Sequence, residues 1–168
     1  EAEVEYEDKK SPSIDVAFIA KNSKKLLACF DVALDTKDTK DIKNTKPVSV
    51  PIWTTTPWTL PANEAVSLPP DLIYALVDVG TQYLVVAKDL LETVRLRYAF
   101  DTWTVCAEIE GAALEHVHLE HPLFAHKEIP IVLSTHVTTE SGTGCVHTAP
   151  AHGPDDYLVG LKYKLPCV

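Results

Sequence analysis

The fold is decided by the run Gly142-Thr-Gly-Cys-Val-His-Thr-Ala-Pro-Ala-His-Gly-Pro-Asp-Asp-Tyr157. The order of residue types in this run predicts a turn, a short strand, a loop and then a helix. Gly142 and Gly144 suit the turn because glycine tolerates positive φ, and residues 145–147 favour a strand. Pro154 suits the first position of a helix. Polar side chains therefore collect on a loop between two rigid elements, where binding and catalysis are common.

The helix predicted after this loop combines an apolar face with an acidic first turn. Asp155 and Asp156 lie where carboxylates stabilise the helix dipole, so a lone aspartate there would most often be a cap. Adjacent helical side chains point about 100° apart, so the two carboxylates cannot both face one cleft. The apolar residues at helical spacing, which we expect to form a buried stripe, are Tyr157, Leu158, Leu161 and Leu165.

A second polar run follows the β-prone segment 48–52 and reads Ile52-Trp-Thr-Thr-Thr-Pro-Trp-Thr-Leu-Pro-Ala-Asn-Glu64. Side chains alternate between the faces of a strand, so Thr54 and Thr56 share one side and Thr55 takes the other. Threonine is common in ordinary strands, so this run alone would not indicate a functional site. The two polar runs together are far more specific than either one.

Together, the two runs resemble the signature segments of one known family. Residues 53–63 and 142–157 are similar to the two signatures of the editing domain of isoleucyl-tRNA synthetase, the insertion called connective polypeptide 1. Residues 11–18 and 84–90 resemble further pieces of that domain. The resemblance therefore covers nearly the whole chain.

One position separates the branches of this family. The related valyl and leucyl enzymes carry Thr-Thr-Arg-Pro where this chain has Thr54-Thr-Thr-Pro57. Thr56 in the arginine position, followed by Trp58 and Asn63, indicates the isoleucyl branch. Residues 31–46 match no part of the family pattern. They are rich in Lys, Asp and Thr, and we expect them to form a solvated loop.

The resemblance implies both a fold and a reaction. The implied fold is a mixed α/β domain of mainly antiparallel strands, with a β-barrel-like core and peripheral helices. The implied reaction is hydrolysis of valine wrongly attached to isoleucine tRNA, and of valyl-adenylate, with no cofactor in this domain. The expected partners are the 3′-terminal aminoacyl-adenosine of that tRNA and the rest of an ATP-binding synthetase. We expect a monomeric protein.

The resemblance also implies roles for individual residues. The expected catalytic group is Thr56, His147 and Asp156: Asp156 binds the substrate ammonium, and the other two line the side-chain pocket and the water site. Backbone N–H groups near Pro154 and at 148–149 are candidates for stabilising an oxyanion. The expected substrate-binding residues are Trp53, Thr54, Thr55, Thr59, Asn63, Thr148 and Ala149.

Composition limits the class of protein. With 168 residues, 46% of them hydrophobic, residues 1–168 can bury one core and are expected to form a single domain, with 1–10 frayed. The absence of methionine favours an excised fragment, and the resemblance implies that it comes from a larger synthetase. The absence of a long apolar span favours a soluble, cytoplasmic protein without a membrane partner. The net charge of −9 argues against a basic nucleic-acid-binding surface, so RNA contact is expected only at a strand end.

Local patterns predict several of the remaining elements. Residues 74–79 and 82–87 flank Gly80-Thr81 and predict a hairpin. Residues 88–98 predict a helix with one apolar face. Pro130 has no N–H to donate, so it predicts that its strand is an edge strand or begins at that residue.

A stretch rich in histidine raises the alternative of a metal site. His116 and His118 would share one face of a strand, a spacing that can chelate a metal. The four cysteines show no C-x-x-C spacing, so we expect free thiols, with none placed as a nucleophile. We therefore expect no metal. Three alternatives stay open: a metal-dependent hydrolase, a binding-only module for RNA ends, and a valyl-type editing domain that clears threonine. The histidines of this stretch are His116, His118, His121 and His126.

Overall fold

The computed structural model describes residues 14–30, 46–54, 56–124, 126–135 and 142–166, with His152 described by its backbone alone. The strands are β1 Ile14–Ile19, β2 Val48–Thr54, β3 Ala65–Leu68, β4 Ile73–Asp78, β5 Tyr83–Ala87, β6 Thr104–Glu110, β7 His118–Glu120, β8 Glu128–Leu133 and β9 Val146–Thr148. The helices are α1 Ser23–Cys29, α2 Leu91–Tyr98 and α3 Pro154–Tyr163. The segment predicted to fray, 1–10, and the predicted loop as far as residue 45 lie outside the described residues.

The strands form two sheets, with orders β1-β2-β5-β4-β6 and β7-β8-β3-β9. Most neighbouring strands are antiparallel, whereas β2 with β5 and β3 with β8 pair in parallel. An isolated bridge between Ala20 and Leu119 joins one edge of each sheet, so the described strands enclose a barrel-like core without closing into a ring. The predicted class, mixed α/β with mainly antiparallel strands and peripheral helices, is confirmed.

The main apolar core of the described residues lies between the two sheets. Phe18 and Tyr74 enter it from the first sheet, and Leu119 and Ile131 enter it from the second, all fully buried. Burying an apolar side chain of this size contributes about 1.5–3 kcal/mol to folding. The shared core therefore fixes one sheet against the other.

The local predictions for the first sheet are confirmed. β4 and β5 form an antiparallel hairpin, and Gly80 in the connection has φ of 96°, which glycine adopts without strain. The Asp78 carboxylate accepts a hydrogen bond of 2.8 Å from the Gly80 N–H and closes the turn. The predicted helix at 88–98 begins as a 3-10 turn and continues as α2, with Leu90 and Val94 buried.

The turn before β9 ties the two sheets together. The Thr143 hydroxyl donates a hydrogen bond of 2.6 Å to the carbonyl oxygen of Pro51 in β2, and the Thr143 carbonyl accepts one of 2.9 Å from the Ala87 N–H of β5. Gly144 has φ of 85°, and a Cβ added there would lie 2.4 Å from the Ala87 Cβ. Glycine is therefore required at this crossing, which carries the chain from the first sheet to β9 in the second.

The buried face of α3 is not the predicted one. Tyr157, Leu158 and Leu161 are 48%, 63% and 61% exposed, whereas Val159 and Gly160 are buried. A Cβ at Gly160 would lie 2.9 Å from the Pro150 side chain, so this helix face packs too closely for a large residue. The stripe was wrong for Tyr157, Leu158 and Leu161, because the side of α3 that meets Ala65 and Val132 carries Val159 instead. Leu165, the fourth predicted member, is half-buried and packs against this cluster.

Pro130 was predicted to mark an edge strand or a strand start, and it does neither. β8 begins at Glu128 and is an inner strand of the second sheet, with β7 on one side and β3 on the other. Pairing with β3 begins only at Ile131, so the missing N–H of Pro130 removes no hydrogen bond from that pair.

No helix within the described ranges has both the length and the apolar character that crossing a bilayer requires.

Candidate functional site

The threonine-rich run folds into a tight turn after β2. The Thr56 N–H donates to the Thr54 hydroxyl at 3.0 Å, and the two hydroxyl oxygens lie 3.3 Å apart. Residues 57–62 form a 3-10 turn with Pro57 at its first position, and the Thr59 hydroxyl donates back to the Thr56 carbonyl at 2.8 Å. This threonine turn therefore presents several hydroxyl groups together. Thr55 lies outside the described residues.

β9 brings His147 to this turn from far along the chain. β9 pairs antiparallel with β3, and His147 lies opposite Val66 in the register. The His147 Nε2 atom is 2.9 Å from the Thr59 hydroxyl, and its Nδ1 atom is 3.3 Å from the side-chain amide nitrogen of Asn63. The two polar runs identified in the sequence therefore meet at one buried cluster, Thr59–His147–Asn63.

The hydrogen bonds of this cluster fix the protonation of the imidazole ring. The Asn63 amide nitrogen also donates to the Ala65 carbonyl at 3.0 Å, and a carbonyl can only accept. The facing His147 Nδ1 atom is therefore an acceptor, and the ring proton is on Nε2. The Nε2–H group donates to the Thr59 hydroxyl, whose own proton goes to the Thr56 carbonyl. His147 is a neutral side chain held at both ring nitrogens.

Asn63 has one polar atom left over. It is fully buried, and its carbonyl oxygen Oδ1 makes no hydrogen bond within the described part of the chain. A buried amide oxygen without a donor costs about 1–3 kcal/mol. It is an acceptor suited to a donor group from water or from a bound ligand.

The two adjacent aspartates point to different surroundings. The Asp156 carboxylate is half-buried and accepts a hydrogen bond of 3.1 Å from the Ala149 N–H in the loop after β9. Asp155 is exposed and borders a groove beside Leu158 and Lys162. The first turn of α3 therefore directs Asp156 toward the β9 side. The Ala149 N–H, considered above as an oxyanion donor, is already engaged by this carboxylate.

Thr148 and Trp53, both predicted to bind substrate, have side chains that contact other parts of the protein. Thr148 is fully buried, and its hydroxyl lies 2.5 Å from the Ser67 hydroxyl. Neighbouring residues of a strand face opposite sides, so the Thr148 side chain points away from the cluster that holds His147. Trp53 is half-buried and packs against Gly142, where an added Cβ would lie 3.0 Å from the tryptophan Cβ. The structure therefore does not bring the Thr148 side chain to the cluster.

Cys145 lies two residues before His147, but its thiol is unreactive. Its side chain is fully buried, and burial raises the pKa of the thiol to about 12. The thiolate is the nucleophilic form of cysteine, so a thiol held protonated cannot attack an ester at neutral pH.

The histidine-rich stretch does not form the chelating pair that the sequence raised as an alternative. His116 has φ of 68° and precedes β7, so it does not share a strand face with His118. The left-handed backbone at His116 breaks the alternation on which that alternative depended. His118 Nδ1 lies 3.1 Å from the Glu128 carboxylate. Over the described ranges, no three His, Cys, Asp or Glu side chains gather as a metal would require.

Comparisons with solved structures identify the fold first. Two editing domains of cytosolic leucyl-tRNA synthetase superimpose on this fold. The P. knowlesi domain does so with a TM-score of 0.75 and 13% identity, over 90% of this chain and 62% of that one. The P. falciparum domain does so with a TM-score of 0.71 and 15% identity, over 90% of this chain and 67% of that one. At such low identity the similarity establishes the fold alone.

Sequence comparisons then give the family. The family model described as leucyl-tRNA synthetase, editing domain, matches residues 30–168. The chain belongs to this family of editing domains. It is 55% identical over its whole length to an isoleucine–tRNA ligase of Legionella pneumophila and 53% identical over 99% of its length to one of Coxiella burnetii. It spans 17% of the length of each. The resemblance to the isoleucyl editing domain is confirmed.

Proposed function

We propose that this chain is the proofreading module of an isoleucyl-type synthetase and hydrolyses valine from tRNA(Ile). The observation that carries the proposal is the cluster in which Thr59 and Asn63, from one polar run, hold His147 from the other. The names of the relatives at 53–55% identity support the isoleucyl branch, as does Thr56 in the position where valyl and leucyl enzymes have arginine.

The chemistry required is modest. An aminoacyl ester is already reactive, so hydrolysis needs a positioned water and stabilisation of the developing charge. In our proposal the Asp156 carboxylate binds the substrate ammonium, and the hydroxyls of Thr54 and Thr56 contact the ester, the ribose or the attacking water. Asn63 Oδ1, which has no hydrogen-bond donor among the described residues, offers an acceptor for a buried water next to the cluster. The same pocket would accept valyl-adenylate, because its aminoacyl group is the same.

His147 serves as a wall in this proposal. Its ring is neutral and hydrogen-bonded at both nitrogens, which suits a fixed surface better than a proton acceptor. Isoleucyl enzymes are the standard example of weak discrimination, since one methylene is worth only about 1–3 kcal/mol in an apolar pocket. A second pocket must therefore admit valine and exclude isoleucine by size near the γ carbon.

The proposed partners follow from charge and size. The net charge of −9 disfavours a broad grip on tRNA, so the domain would accept the terminal aminoacyl-adenosine while the rest of the synthetase holds the tRNA. We propose that it works without a cofactor, in the cytoplasm, as part of a monomeric synthetase.

Asp156→Asn tests the assignment with Asp155→Asn as the matched control. The asparagine oxygen still accepts from the Ala149 N–H, so the fold is kept while the charge that binds ammonium is lost. Hydrogen bonds to charged groups contribute about 1.5–3 kcal/mol, so deacylation of valyl-tRNA(Ile) by the full-length protein should fall about ten- to hundredfold. The Asp155 variant should keep its rate. Loss in the Asp155 variant alone would contradict the assignment, and hydrolysis of threonyl-tRNA(Val) instead would favour a valyl-type domain.

A further inference from the structure

The backbone of the threonine turn is hydrogen-bonded by a residue that the proposed chemistry does not use. His121, just after β7, is 2% exposed, and its Nε2 atom lies 2.8 Å from the Leu60 carbonyl oxygen. Its Nδ1 atom accepts the N–H groups of Leu123 and Phe124 at 3.0 and 3.2 Å. Because Nδ1 accepts two donors, the ring proton is on Nε2 and is donated to Leu60.

Lys127, on the same β7–β8 hairpin, holds the other end of the turn. Its ammonium group donates to the Asn63 carbonyl at 2.8 Å and to the Glu64 carboxylate at 2.6 Å. The Leu60 carbonyl that accepts from His121 also accepts the Asn63 N–H at 3.0 Å. His121 and Lys127 therefore contact the backbone at Leu60 and Asn63. This segment follows Thr59 and ends at Asn63, the two residues whose side chains hold His147.

We propose that His121 and Lys127 are positioning residues for the editing reaction, which fix Thr59 and Asn63 against His147. This inference rests on the proposed function. Displacing catalytic groups by about 1 Å can reduce a rate roughly a hundredfold. Contacts that fix the turn therefore affect the rate even though they do not touch the substrate. Neither residue belongs to the two polar runs.

The surroundings keep His121 in the form that this role needs. Burial lowers the pKa of the His121 imidazole, its bond to Leu60 opposes that shift, the Lys127 ammonium adds to it, and the Glu64 carboxylate opposes it. A histidine with a lowered pKa in the folded state contributes stability above its unfolded pKa and loses it as the pH falls through the folded pKa. Protonation of Nδ1 would displace the N–H groups of Leu123 and Phe124 and loosen the hairpin.

Two substitutions separate the contacts of the ring. In His121→Asn, the side-chain oxygen takes the place of Nδ1 and still accepts the two backbone N–H groups, but nothing reaches Leu60. In His121→Gln, the amide nitrogen takes the place of Nε2 and restores the donor to Leu60. His118→Asn is the matched control, because it lies on the same hairpin with a half-exposed side chain that pairs with Glu128.

The full-length protein is assayed for valyl-tRNA(Ile) deacylation and for hydrogen exchange in the threonine turn. His121→Asn should lower kcat roughly ten- to hundredfold with little change in KM, and should speed exchange at the Thr59 and Asn63 amides. His121→Gln restores the donor to Leu60 but not the acceptor for Leu123 and Phe124, so it should recover part of kcat, with a shallower loss of rate at acidic pH because the titrating ring is gone. Lys127→Met should resemble His121→Asn, and the His118 control should match the wild type.

The two readouts keep the outcomes distinct. Unchanged exchange in the turn of His121→Asn would overturn the inference, whatever the activity. Equal losses of kcat in the Asn and Gln variants, in proportion to their thermal stability, would also overturn it by assigning His121 a purely structural role. A wild-type protein without deacylase activity would refute the proposed function, while the exchange data would still decide whether His121 holds the turn.

Discussion

His147→Ala is the perturbation that tests the proposed sieve most directly. The imidazole ring is buried and lies between Thr59 and Asn63, so its removal opens a space at the proposed wall. Both neighbours keep a second hydrogen bond, to the carbonyls of Thr56 and Ala65, so the turn should persist. Losing two hydrogen bonds and the ring packing costs about 2–3 kcal/mol, within the 5–15 kcal/mol typical of a folded domain.

The expected change in isoleucine hydrolysis follows from the size difference between isoleucine and valine. Isoleucine exceeds valine by one methylene, worth about 1–3 kcal/mol or roughly ten- to 200-fold in an apolar pocket, and isoleucyl enzymes are themselves the standard example. An imidazole ring is much larger than a methylene. We therefore expect His147→Ala to raise deacylation of correctly charged isoleucyl-tRNA(Ile) at least about tenfold. Valine hydrolysis should not rise, because valine already fits.

The assay measures release of labelled isoleucine and valine from the two charged tRNAs by the wild type, His147→Ala and the surface control His118→Ala. A variant that loses valine hydrolysis and still spares isoleucine would assign His147 to orientation or catalysis and refute its role as a wall. Unchanged rates on both substrates would remove His147 from the pocket. Circular dichroism and thermal melting establish that the variant is folded under the assay conditions.

Three further results are expected. Exhaustive chelation should leave deacylation unchanged, and a His116→Ala, His118→Ala double variant should keep its rate; inactivation reversed by zinc would place a metal there. Cys145, with its thiol pKa raised to about 12, should resist alkylation at pH 8 in the folded protein while the exposed Cys106 reacts, as peptide mass spectrometry would detect. Gly144→Ala should destabilise the domain by about 1–3 kcal/mol in denaturant titrations, because alanine there combines positive φ with a clash, and an unchanged midpoint would contradict that account.

Local chemistry explains which elements could be predicted from the sequence. The β4–β5 hairpin was predictable because Gly80-Thr81 separates two β-prone runs and the glycine adopts the positive φ that the turn requires. The buried face of α3 was not predictable. The spacing of apolar residues indicates a helix, but it does not show which part of the protein packs against it. There, Gly160 fits against Pro150 and Val159 packs against Ala65 and Val132, whereas Tyr157, Leu158 and Leu161 turn to solvent.

The candidate site was predictable only in part. Thr59 and His147 are 88 residues apart, so no periodicity relates them, and only the family resemblance joined their two runs. The predicted substrate-binding role of Thr148 stays a prediction; its hydroxyl lies against Ser67, a contact that strand alternation explains. His121 belonged to a histidine-rich stretch that suggested metal binding, and nothing local indicates that its partner is the carbonyl of Leu60.

The hydrogen bonds through His147 form a row with a single direction. They run from Asn63 through His147 and Thr59 to the Thr56 carbonyl, and the Asn63 amide is anchored to the Ala65 carbonyl. Carbonyl groups at both ends can only accept. If one side chain exchanged its donor and acceptor roles, its neighbour would therefore lose its hydrogen-bond partner. The row therefore behaves as one cooperative unit rather than as independent rotors. Substitutions at Asn63 and Thr59 should be strongly non-additive, and a double-mutant cycle would measure that coupling.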